Sequence, residues 1–302
     1  MKKNYEEFCN TIIRDLKKMG FEAEMTEVNK LQSPSYEGII VKEKCSNMGP
    51  IVPTKQLYSE YESSNYNTVF QGLIEDLKES IENAQEVVEK GCTVFSDLEE
   101  IKKNALIQMV PVKGNEDFLK EVPCKIMEDL AAIVRIKLSS NATAVIRNDN
   151  LKLFEISPEQ FMEQIISEEP SITFETMGNI LASMGFPIMP MESDDFMMYV
   201  LSNGENWLGS GVIAYPKILD MAAEKLGGSF YIIPSSIHEV ILLPASLIDP
   251  EPVVSIIKEV NKSVVSPEER LSDNLYYYDA GKKLFSIAQS AASEKQIKEY
   301  TF

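Results

Sequence analysis

The chain is poor in the residue types that metal binding and much of catalysis draw on. Its 302 residues hold one histidine, His238, and one tryptophan, Trp207. A metal site built on several imidazoles is excluded, and base chemistry by histidine has a single place to reside. The four cysteines, Cys9, Cys45, Cys92 and Cys124, include no C-x-x-C pair, so the closely spaced thiolates of a zinc site are missing as well. They read as reduced thiols, with Cys9 and Cys124 near cores. No metal and no cofactor is expected.

Positive charge is also scarce. Twenty-nine lysines and arginines face 47 aspartates and glutamates, a net charge of −18. A surface this negative repels phosphate backbones and anionic membranes, so direct nucleic-acid binding and membrane binding are not expected. No run approaches the roughly 18 apolar residues of a membrane span. The opening MKKNYEEFCNTIIRDLKKMG is charged throughout and lacks the apolar stretch of a signal peptide. Phosphate-binding glycine loops are missing too. NGENWLGSG (203–211) has three glycines but fits neither the P-loop nor the G-x-G-x-x-G spacing.

What is present is an ordinary globular composition, 44% hydrophobic and 25% charged, in a chain long enough for two domains. Residues 4–19 place Tyr5, Phe8, Ile12, Ile13, Leu16 and Met19 at helical spacing, with Gly20 as the stop. EAEMTEV and EGIIVKEK read as strands. Pro53-Thr54 opens a helix toward Tyr61, and a long helix runs from about Asn67 to Lys90 with Gly91 as its stop. Ser96-Asp97-Leu98-Glu99 and Ser157-Pro158-Glu159-Gln160 fit capping boxes. ALIQMVPV is a strand, and DLAAIVRIKL with ATAVIRN a hairpin turning at Ser139–Asn141.

The Met- and Pro-rich stretch 168–195 reads as a linker between an N-terminal domain, 1–167, and a C-terminal domain, 196–302. The second domain reads as β-β-α-β-β-α, with FMMYVLSN and GVIAY as its first two strands and KILDMAAEKL as a helix stopped at Gly227-Gly228. FYIIPSSIHEVILLP is a hairpin and PVVSIIKEVNKSV a helix. Tyr276, Tyr277 and Tyr278 alternate on a late strand. The fold class is α+β, each domain a mainly antiparallel sheet packed with helices.

The hairpin carries the candidate chemistry. A serine nucleophile needs a histidine within about 3 Å and a third group to orient that histidine. Ser235 or Ser236 could reach His238 across the turn. Glu239 follows His238 directly, and neighbouring strand residues face opposite sides, with His238 on the face of Val240 and Leu242. The plainer reading is a turn between interior strands, where serine hydroxyls bond nearby backbone. Ser235, Ser236, His238, Glu239, Trp207 and Tyr215 are the candidate ligand- or partner-binding residues, and no catalytic set is complete.

MYVLSN and LGSGVIAYPKILDMAAEKLGGSFYIIPSSIHEVILLP resemble the C-terminal signature of an uncharacterised family of bacterial proteins common in clostridia and related Gram-positive bacteria. PTKQLYSEY and DLAAIVRIKLSSNATAVIRNDNLKLFEISPEQFMEQ are similar to its earlier stretches, and PSSIHEV is the most specific piece. The last third is also similar, more distantly, to a second bacterial family of unknown function. The resemblance implies a bacterial cytoplasmic protein of unknown function and transfers no catalytic residues. The expected function is non-catalytic binding of an unknown protein or small molecule. The alternatives are a serine hydrolase using Ser235 or Ser236 with His238, and an acidic mimic that inhibits a nucleic-acid-binding protein.

Overall fold

The computed structural model describes residues 2–31, 33–44, 49–139, 142–183, 185 and 198–288. The chain divides into two compact units, Met1–Asp97 and Leu98–Phe302.

The first unit begins with helix α1 (Tyr5–Lys18). Asn4 accepts from the Glu7 N–H, and the Glu7 side chain reaches back to the Asn4 N–H, so the first turn has its orphan amides bonded. Strands β1 (Glu22–Lys30), β2 (Ser33–Lys42) and β3 (Ile51–Pro53) form an antiparallel sheet in that order. Helices α2 (Thr54–Ser63) and α3 (Tyr66–Val94) complete it. Apolar residues of α1, the sheet, α2 and α3 meet in one core around Phe8, Ile12, Leu16, Ile39, Val41 and Leu73. Phe8 stacks on Tyr61 at 4.7 Å between ring centres, a contact beyond simple area burial.

Two helix-end expectations for this region need correcting. α3 runs through Gly91 to Val94. Glycine weakens a helix by only about 1 kcal/mol, and Val94, three residues on, is buried. Ser96 does not cap the next helix. Its hydroxyl donates to Thr93 O at 2.7 Å, closing the end of α3, and α4 (Leu98–Lys103) starts two residues later.

The second unit holds two sheets. β4 (Ala105–Pro111), β5 (Cys124–Met127), β6 (Leu130–Lys137) and β7 (Thr143–Val145) form an antiparallel set in which β6 pairs with the other three. α5 (Glu116–Leu119) joins β4 to β5. β6 is the apolar centre, with Leu130 to Val134 all buried. Part of the expected 139–141 turn lies outside the described residues, and its flanking strands pair as expected, Arg135 opposite Val145. Next come α6 (Asn148–Leu151), a 3₁₀ turn at Lys152–Phe154, and α7 (Pro158–Ser167). The Ser157–Gln160 capping box at the start of α7 is formed as expected.

Within the stretch read as a linker, β8 (Ile172–Thr176) and α8 (Met177–Ser183) are formed; residues 184 and 186–195 lie outside the described residues. β8 pairs with β9 (Tyr199–Asn203). The second sheet is six-stranded and antiparallel, in the order β13-β12-β10-β11-β9-β8. Its other members are β10 (Phe230–Ile233), β11 (Val240–Pro244), β12 (Tyr276–Asp279) and β13 (Leu284–Ile287). α9 (Pro216–Leu226) ends at Gly227, whose φ of +76° is the left-handed cap that glycine adopts freely. α10 (Pro250–Ser263) connects β11 to the segment before β12.

The hairpin strands β10 and β11 lie in the interior of this sheet, and Tyr276 and Tyr278 share its buried side, both as the alternation predicts. GVIAY is not a strand. Gly209–Ala214 is a 3₁₀ segment whose six residues are all buried. A Cβ on Gly211 would sit 2.0 Å from the Ile107 carbonyl oxygen, so this backbone lies directly against β4. That contact, rather than strand pairing, takes up the apolar run. Cys9 is buried and Cys124 half-buried. Cys9, Cys92 and Cys124 are free thiols; Cys45 lies outside the described residues. No helix among the described residues is long and apolar enough to cross a membrane.

Candidate functional site

The site candidates gather where β10 turns into β11. Pro234 cannot donate to a ladder, so β10 ends before it. Six residues, Pro234 to Glu239, then make the bend before β11 begins at Val240. His238 therefore sits in the turn and not on the strand face of Val240 and Leu242, a correction to the strand alternation.

The turn is bonded within itself and clamped from outside. Ser236 Oγ accepts from the His238 N–H at 3.0 Å and donates to Glu239 Oε1 at 3.0 Å. Ser235 Oγ donates to the same carboxylate oxygen at 3.3 Å. From β9, the buried Ser202 hydroxyl donates to the His238 carbonyl at 2.8 Å. From the 3₁₀ segment, the buried Ser210 hydroxyl donates to the Ile237 carbonyl at 2.8 Å. The Ile237 N–H donates to Glu269 O at 3.0 Å. Two buried serines thus bond the consecutive carbonyls that a turn leaves without ladder partners.

The imidazole is held the same way. The Leu208 N–H donates to His238 Nδ1 at 3.3 Å. An accepting Nδ1 carries no proton, so the neutral ring has its N–H at Nε2. Nε2 lies 3.8 Å from Glu269 Oε1, too far for a hydrogen bond and close enough for an ion pair with a protonated ring. The His238 side chain is 28% exposed and that of Glu269 45%.

The serine pair and the ring share a turn but not a proton path. Both serine hydroxyls are donated to Glu239, and the ring nitrogen that could accept a proton takes a backbone amide instead. Glu239 takes part after all: its side chain folds back over the turn, which strand alternation does not anticipate.

The loop before the 3₁₀ segment explains how Leu208 reaches the ring. Asn203 at the end of β9 accepts from the Glu205 and Trp207 N–H groups and donates to Trp207 O at 2.7 Å. Asn206 and Leu208 have φ of +53° and +56°. Gly209 follows, and a Cβ there would lie 1.9 Å from Ser202 Oγ and 2.5 Å from His238 O. Trp207 is half-buried in this loop. Tyr215 is buried at the N-terminus of α9, and burial, with a smaller push from Glu168, raises its pKa to about 12. No hydrogen bond or ion pair among the described residues joins Tyr215 to His238.

Leu208, Ser202, Ser210, Asn203 and Glu269 are the residues that sequence reasoning missed here. Their one visible signal was the glycine spacing of NGENWLGSG, which marks a close backbone approach without naming its partner. Among the described residues no group of histidine, cysteine, aspartate and glutamate side chains could hold a metal ion.

An α+β protein of antiparallel sheets, with its lone imidazole anchored by a backbone amide at a sheet-end turn, is the class that fold and site define. The chain belongs to the family of unknown function DUF5688, whose family model matches residues 5–280. No curated protein and no solved structure matches it.

Proposed function

We propose that this chain is a non-catalytic binding or interaction protein of the bacterial cytoplasm, with the 234–239 turn and Trp207 as its contact surface. One observation carries the reading: the Leu208 amide occupies Nδ1 of His238 while both serine hydroxyls are given to Glu239. A nucleophile–base pair needs the serine proton aimed at the ring. In this turn the same groups fix a backbone shape instead. The ring edge, Glu269 and Trp207 are partly open to solvent, which leaves polar and aromatic groups for a partner to meet. Tyr215, being buried, would contribute only by supporting the start of α9. No specific observation favours the hydrolase or the acidic mimic.

The test has two arms. A fluorophosphonate probe should leave Ser235 and Ser236 unlabelled, and a lysate of a clostridial species should yield a partner that Trp207→Ala fails to retain. Labelling that vanishes in His238→Ala would overturn the reading in favour of a hydrolase.

A further inference from the structure

A cleft of about 320 Å³ opens elsewhere in the second unit, within the size range of small-ligand sites. Strand β5 forms one wall through Lys125 and Ile126; the end of the 3₁₀ segment and the start of α9 form another. Ile213, Leu219 and Phe285 make much of its lining apolar.

Its charged groups are not equivalent. Asp220 is already engaged, accepting from the Tyr278 hydroxyl at 2.6 Å and from Lys283 Nζ at 2.6 Å. Glu128 lies at the edge, exposed to water. Lys125 is different: its half-buried ammonium donates to the Ala214 carbonyl at 3.3 Å, and no carboxylate of the described residues lies within ion-pair distance. A chain with 47 acidic residues has placed none of the described ones against this cation. Partial burial also pulls the Lys125 pKa below the usual lysine range, the mark of a charge short of solvation. An incoming anion supplies what is missing.

We propose that this cleft binds a small organic anion, a carboxylate or phosphate head on an apolar body. Lys125 takes the head, and Ile213, Leu219 and Phe285 take the body. The site shares no residue with the 234–239 turn, so it stands or falls independently of the function proposed above.

Calorimetry on the full chain with four probes tests it: benzoate, phenyl phosphate, inorganic phosphate and benzyl alcohol. At least one of the first two should saturate with a Kd of about 1 mM or below, as befits a ligand of that size. The tighter of the two identifies the head group. Inorganic phosphate and benzyl alcohol should each bind at least about tenfold more weakly, because each lacks one half of the recognition. Lys125→Met should weaken the organic anion about tenfold or more and leave benzyl alcohol unchanged. If that variant does not fold, Ile126→Glu, at a position 54% exposed, places a carboxylate at the cleft wall and should suppress the same binding. The proposal is overturned if neither organic anion saturates by about 10 mM. It is equally overturned if the folded variants bind as the parent does, or if inorganic phosphate matches phenyl phosphate.

Discussion

Leu208 and His238 stand thirty residues apart in sequence and are joined by a single bond, the Leu208 N–H to Nδ1 of the ring. That bond makes the only imidazole of the chain an acceptor for the backbone donor of a buried residue. The histidine is thereby an element of the fold before it is an element of any chemistry.

His238→Ala should therefore lower stability by about 1–2 kcal/mol, the cost of leaving the amide of a buried residue without its acceptor. Urea unfolding measures it as a lower midpoint with an unchanged slope. Ser202→Ala should act in the same direction, because it strips the hydroxyl donor from the His238 carbonyl, and Ser210→Ala should cost less, because the Ile237 carbonyl keeps the Ser210 backbone N–H at 3.3 Å. A His238→Ala protein as stable as the parent would show that the ring is not holding the loop.

Two glycines, Gly209 and Gly72, separate close contact from mere flexibility. At Gly209 an added Cβ would meet Ser202 Oγ at 1.9 Å and two backbone atoms at 2.5 and 2.7 Å. Backbone cannot swing aside as a side chain can, so Gly209→Ala should cost about 3 kcal/mol or more, or prevent folding of the unit. Gly72, inside α3, has nothing within 4 Å of the same construction. Gly72→Ala should therefore raise stability by about 0.5–1 kcal/mol through helix propensity and a less flexible unfolded chain. Thermal unfolding of the two variants should move in opposite directions.

Tyrosine ionisation offers a pH test. Burial first, and then a hydrogen bond donated to a carboxylate, pushes the Tyr66, Tyr276 and Tyr278 hydroxyls above the ordinary tyrosine range. Tyr215 is raised to about 12, mainly by burial. For a group raised on folding, the unfolded chain loses its proton first. The stabilisation is complete below the ordinary value of about 10 and is lost as pH rises through the folded value. Absorbance titration should then ionise fewer than all 12 tyrosines between about pH 9 and 11. The late groups should appear only with unfolding, at a midpoint that falls steeply above about pH 10. Tyr215→Phe should make that fall shallower. A full complement titrating near pH 10 in the folded protein would contradict the burial.

Local pattern was enough for the elements whose ends are set by their own residues. Ser157 marks a helix start because a capping oxygen acts within one turn, and Gly227 marks a stop because it adopts a left-handed φ. The interior position of β10 and β11 was legible from apolar residues on both faces. The GVIAY segment was not, since its shape depends on Gly211 lying against Ile107, a contact more than a hundred residues away in sequence. The site was legible only as a set of nearby polar residues. Its bonds are decided by residues from three other segments: Leu208 and Glu269 act through backbone atoms, and Ser202 and Ser210 through hydroxyls given to turn carbonyls. Backbone donors carry no residue-type signature, so no motif search finds them. The folding back of Glu239 onto Ser235 and Ser236 is equally invisible to strand alternation, because the strand has not yet begun.

Asp129 sets the last test, because it joins the two sheets of the second unit through side chains alone. It lies in the two-residue turn between β5 and β6, next to Glu128 at φ +59°. Its Oδ1 accepts from the Tyr276 hydroxyl at 2.6 Å, and its Oδ2 from Ser272 Oγ at 2.7 Å and Asn274 Nδ2 at 3.0 Å. Tyr276 is fully buried, so Asp129→Ala leaves its hydroxyl without a strong acceptor. The expected loss is about 3 kcal/mol, above that of a typical surface change. A general loosening of the turn would give the same number, so a second variant is needed. In Tyr276→Phe the hydroxyl is already gone, and adding Asp129→Ala should then cost less, by about 1 kcal/mol or more. Equal costs in the two backgrounds would mean that Asp129 acts on the turn alone and that the bond to Tyr276 does not tie the sheets together.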